Sequence, residues 1–147
     1  MKTKNSNKFL AVIFSAFTIV TFTSFAYGQS SDPDSPTRVS EGTITGSVST
    51  SASDQKTYYY TFNVKPGNLI LTTDMYPVKG TGGGVLQWTY LNSKFKKLRY
   101  DVYAAQGSPE RKVDDAKVTI KRRIILKLVV EGSFKFKLKF SGSAFVQ

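Results

Sequence analysis

Between Arg123 and Phe140 the even-numbered positions read Ile124, Leu126, Leu128, Val130, Gly132, Phe134, Phe136, Leu138 and Phe140, while lysine, arginine and other polar residues take most odd ones. A repeat of two matches the alternating side chains of a strand and cannot line one face of a helix, whose period is 3.6. The stretch therefore predicts strand, with its greasy row turned inward. Reversal of the chain at Glu131-Gly132-Ser133 makes it a hairpin, and keeping both apolar rows on one side pairs Val130 with Phe134, Leu128 with Phe136 and Leu126 with Leu138. Lys127 then stands opposite Lys137.

The outward parity runs back through the preceding strand. Lys117, Lys121, Arg123, Lys127, Lys135, Lys137 and Lys139 are thereby expected on one solvent face of three consecutive strands. Two uses of such a face compete. Lysines keep an edge soluble and lay their alkyl stems over neighbours such as Ile125 and Val129. A flat array of cations also docks the phosphate, sulfate or carboxylate groups of a polymer. Counter-charges are scarce on this parity, and a merely solubilising surface mixes both signs, which favours the second use.

The same period recurs upstream. Strands are expected at about 41–48, 56–64, 68–75, 85–91, 95–104, 116–121, 123–130 and 134–140, with no helical period among them. Pro66-Gly67 marks a turn. Lys79 to Gly84 (KGTGGG) is read as a flexible connection, since no Lys-Ser/Thr and no helix follow its glycines. Ala105 to Asp115 is read as a polar loop. About eight short strands with frequent turns predict an all-β fold, a single antiparallel β-sandwich of jelly-roll type.

Ahead of the strands stands a leader pattern: Met1 to Lys8 is polar and basic, Phe9 to Phe25 is apolar, and small residues follow in Ala26-Tyr27-Gly28. That order predicts a secretory signal peptide over residues 1–28, a flexible or extended segment over 29–40 and one domain over 41–147. No later apolar run could cross a bilayer as a helix, so the mature chain is expected to be secreted or periplasmic. Without cysteine, packing alone must hold it together. Charge is uneven: residues 29–93 carry 4 basic and 5 acidic side chains, whereas residues 94–147 carry 14 and 5. Such asymmetry points to a polyanionic partner.

With neither histidine nor cysteine, the chain lacks the commonest general base, the thiol nucleophile and most transition-metal ligand sets. No cofactor, metal or catalytic residue is assigned. Asp114-Asp115 is the one adjacent acidic pair, and neighbours on a strand point apart. A small hydrolase would need a cleft where serine, lysine or carboxylate groups converge. Of the aromatics, Tyr58, Tyr60, Trp88, Tyr90 and Tyr100 fall on core parity, while Tyr59, Tyr76 and Tyr103 are the candidates for exposure. A ring of that second group beside the lysines would favour an anionic glycan.

The order of features is similar to a known family. Gly42-Thr43-Ile44 with Gly46, then Tyr59 to Leu69 (YYTFNVKPGNL), then Gly132-Ser133-Phe134 entering an alternating strand, resemble the bacterial pre-peptidase C-terminal domain. The resemblance covers about Glu41 to Phe140. It implies a secreted accessory β-sandwich found beside extracellular enzymes, and it transfers no catalytic residue. The function expected is thus a non-catalytic module that docks an acidic polysaccharide or another polyanion through the seven basic residues with Tyr59 and Tyr103. The alternative is a structural or protein-interaction module partnering a secreted enzyme or envelope protein.

Overall fold

The computed structural model describes residues 29–51 and 54–146, and the expected signal peptide over residues 1–28 lies outside them. Nine strands form among the described residues: β1 (Thr37–Arg38), β2 (Thr43–Ser49), β3 (Gln55–Val64), β4 (Gly67–Pro77), β5 (Gly84–Leu91), β6 (Lys97–Ala105), β7 (Glu110–Val118), β8 (Arg122–Ser141) and β9 (Phe145–Val146). No helix forms among the described residues. Every long pairing is antiparallel; the two-residue β1 runs parallel to β3.

The expected closing hairpin does not exist. Residues 122–141 run on as one strand of 20 residues, about twice the usual upper length. Its first half lies between β3 and β5, with Tyr60 and Tyr90 both paired to Leu126. Its second half lies between β2 and β4, with Gly46 and Met75 both paired to Phe136. Val130 therefore never meets Phe134. The alternation had specified which side chains go inward, and that part holds: Leu126, Leu128, Val130, Phe134 and Leu138 are fully buried. What alternation cannot specify is the partner, because β3 and β5 offer apolar rows as good as the strand's own second half.

Gly132 makes the continuous strand possible. It holds φ at 100°, a value that side-chain-bearing residues rarely adopt, and stands at an inward position. A Cβ there would collide with the backbone of Gly83 and Gly84, which close against the bend. Ser133 N–H donates to the Gly83 carbonyl at 2.9 Å, and Gly132 N–H donates to Thr50 Oγ1 at 2.7 Å. The glycine-rich segment read as a loose connection is thus divided. Gly80 and Gly82 face open space, whereas Gly83 and Gly84 are needed for close approach.

Two layers result. One is β3-β8-β5-β6, with β1 and β9 on the far edge of β3; the other is β2-β8-β4-β7. They pack face to face, as the rings of Phe62 from the first layer and Phe140 from the second show with centroids 4.6 Å apart. Trp88 and Tyr90 pack nearby with tilted rings, centroids 4.6 Å apart. Residues 29–40, expected as a flexible or extended lead-in, run along β3: Tyr59 N–H donates to the Ser30 carbonyl, Val39 N–H donates to that of Thr61, and Val39 is buried.

Two further expectations are corrected. Glu110–Val118 is a strand on the edge of the second layer, although most of it was read as polar loop. In β6 the parity is inverted. Tyr103 and Ala105 point to the core, and Leu98, Tyr100 and Val102 are exposed. The cause lies at the open edge, where Arg99 and Asp101 find partners on the inner side: Arg99 pairs with Asp114 of β7 at 2.6 Å, and Tyr103 O–H donates to Asp101 at 3.3 Å.

Candidate functional site

Because the layers face each other, their outer surfaces look in opposite directions, and β8 contributes lysines to both. Lys135, Lys137 and Lys139 stand on the outside of the second layer, spaced about 7 Å apart by the rise of a strand. Lys127 stands outside the first, between Tyr59 and Thr89. Arg123 is on that layer too, its Nε–H donating to Thr61 Oγ1 at 2.8 Å. Lys121 lies in the link before β8, and Lys117 lies on β7 opposite Asn68. The single face of seven cations is therefore split, for the physical reason that one strand serves two opposed sheets.

The ladder defines what surrounds the three lysines. Lys135 sits between Ser47 and Tyr76, Lys137 between Thr45 and Asp74, and Lys139 between Thr43 and Thr72. Asp74 is the one carboxylate in these rows, and it is already held. Arg111, paired with it across β4 and β7, donates through Nε at 2.5 Å and through Nη2 at 3.1 Å. Those hydrogen bonds hold the Asp74 carboxyl below the usual carboxylate range, helped by the charges of Arg111 and Lys137 and opposed by its own burial. None of the three lysines makes an ion pair among the described residues. All three are exposed.

Aromatic placement sharpens the picture. Tyr76, 44% exposed, is the neighbour of Lys135 on the second layer. Tyr59 is half-buried beside Lys127 on the first. Tyr103, expected outside, is only 8% exposed; Tyr100, expected inside, is 53% exposed with the Lys97 ammonium 4.2 Å above its ring. The site that the geometry assembles is Lys135, Lys137, Lys139 and Tyr76 with a fringe of hydroxyls. Arg111 was missed because it lies in a strand whose charged sequence hides its pairing.

The acidic pair separates as expected, Asp114 turning to Arg99 and Asp115 standing exposed beside Ile70. No helix among the described residues is long and apolar enough to cross a membrane.

No protein-family profile and no curated protein matches the chain in sequence. Among solved structures it is similar to the pre-peptidase C-terminal domain of a collagenase from Bacillus anthracis, with 22% identity over 75% of this chain and 98% of that one and a TM-score of 0.43. It is also similar to part of an arabinose-bound GH51 α-L-arabinofuranosidase, with 14% identity over 78% of this chain and a TM-score of 0.44; it spans 21% of that enzyme's chain.

Proposed function

We propose that this chain is a secreted, non-catalytic accessory module that docks an acidic polysaccharide on the outer face of its second layer. The observation that carries the proposal is the unopposed row of Lys135, Lys137 and Lys139, whose one carboxylate partner in the paired rows, Asp74, is occupied by Arg111. Three ammonium groups at about 7 Å intervals suit anionic groups that recur along an extended polymer. Thr43, Thr45 and Ser47 add hydroxyls that both donate and accept, as sugars require. The exposed Tyr76 ring adds a surface on which a sugar ring can lie. Catalysis plays no part in this account.

Binding to an immobilised acidic polysaccharide, compared with a neutral one of the same length, tests the proposal. The acidic polymer should retain the protein, and retention should fall steeply as salt is raised. Equal retention on both polymers would remove the electrostatic basis.

A second use is favoured by a different surface. Leu98, Tyr100 and Val102 are exposed on β6, an edge strand, and Phe95 is exposed just before it. Such an apolar edge suits a protein partner. Reversing charge at Lys135, Lys137 and Lys139 would leave that contact intact.

A further inference from the structure

Where β6 of the first layer approaches β7 of the second, Arg99, which is paired with Asp114, borders a cavity of ≈ 290 Å³. Val64, Leu69 and Ile124, all core residues, form its apolar wall. Tyr90 lines it as well. That side chain is only 4% exposed, yet its hydroxyl has no hydrogen-bond partner among the described residues. A buried polar group without a partner is costly, and a ligand oxygen that accepts from it removes the cost. Burial, reinforced by the charge of Asp114, pushes the phenol's ionisation upward, so near neutral pH it offers a neutral O–H.

The charged residues in the rest of the lining are all cationic: Arg99, Lys117 and Arg122. Lys117 and Arg122 both border the cavity and make no ion pair among the described residues, whereas Arg99 is engaged by Asp114. A volume just under the usual range for drug-sized ligands limits the occupant to about one ring with its substituents. We infer that this cavity binds a small aromatic carboxylate bearing a second oxygen. Its ring covers Val64, Leu69 and Ile124, its carboxylate is held by Arg122, which stands opposite the inward Val64, and its second oxygen accepts from Tyr90. This site is separate from the lysine face of β8 and does not depend on what that face binds.

The test is titration of the isotope-labelled chain, followed by amide NMR, with 4-hydroxybenzoate, benzoate and 4-hydroxybenzyl alcohol. 4-Hydroxybenzoate should move the amides of Leu69, Tyr90 and Val118. Tyr90→Phe removes only an unpartnered hydroxyl, so it should fold, weaken 4-hydroxybenzoate roughly three- to tenfold and leave benzoate unchanged. Arg122→Gln should weaken both carboxylates and spare the uncharged alcohol. The triple variant K135E/K137E/K139E should bind the probe like the unaltered chain, which keeps this result distinct from that of the polymer. Absence of shifts at these amides at millimolar probe, shifts confined to other surfaces, or a Tyr90→Phe variant that binds 4-hydroxybenzoate as tightly as the unaltered chain would overturn the assignment.

Discussion

Asp74 and Lys137 face each other across the β4–β8 ladder, but the carboxylate of Asp74 is hydrogen-bonded to Arg111 on its other side. The arrangement leaves Lys137 beside a negative charge that is already shared. It also ties the stability of the second layer to the ionisation of one carboxyl group.

That tie fixes a pH dependence. The folded-state pKa of Asp74 lies below its ordinary value, chiefly through the Arg111 hydrogen bonds. Its contribution is therefore complete above the unfolded value of about 3.9 and fades as pH falls through the lower folded value. Asp74→Asn should flatten the acid limb of the stability curve, measured by urea unfolding at several pH values below about 4. The same change removes the one carboxylate beside the lysines, so the variant should elute from an acidic polysaccharide at higher salt.

Gly84 packs under the bend of β8, where a Cβ would enter the Phe134 ring and the Glu131 carbonyl. Backbone cannot retreat there without breaking the β5–β8 ladder. Gly84→Ala should cost about 1–3 kcal/mol in urea unfolding. Gly82→Ala, in the same segment but facing open space, should stay within about 0.5 kcal/mol of the unaltered protein.

Thr73 is 1% exposed and its hydroxyl has no partner among the described residues. Valine has almost the same shape without the polar atom. Thr73→Val should therefore stabilise the domain by about 1 kcal/mol, visible as a rise of about 3–5 °C in the melting temperature.

The inverted parity of β6 is tested by two tyrosines. Tyr100→Ser, on the outside, should change stability by less than about 0.5 kcal/mol. Tyr103→Ser, on the inside, should cost about 2–3 kcal/mol. Thermal unfolding of the two variants separates them, and the reverse order would restore the parity expected from the sequence.

Legibility follows from what each pattern encodes. Alternation from Ile124 to Phe140 encodes face, so the inward row of β8 and the outward lysines could be read directly. It does not encode pairing, because several apolar rows are equivalent partners, and the split of the cations between layers stayed hidden. In β6 the apolar residues form an exposed strip, while Arg99 and Asp101 turn in to meet groups of other segments. The clue was the presence of two chargeable residues needing partners, but Asp114 sits in a stretch whose composition gives no strand signal. Tyr76 was a candidate for exposure, and only the β4–β8 register places it beside Lys135.

The most direct test sets two charge-matched triple variants against each other on an immobilised acidic polysaccharide eluted with salt. K135E/K137E/K139E alters the outer face of the second layer, and K121E/R123E/K127E changes net charge equally elsewhere. The first should elute at much lower salt and lose about two to three from the slope of log affinity against log salt, with the second close to the unaltered chain. Equal losses for both variants, or none for the first, would contradict the docking role of the lysine row.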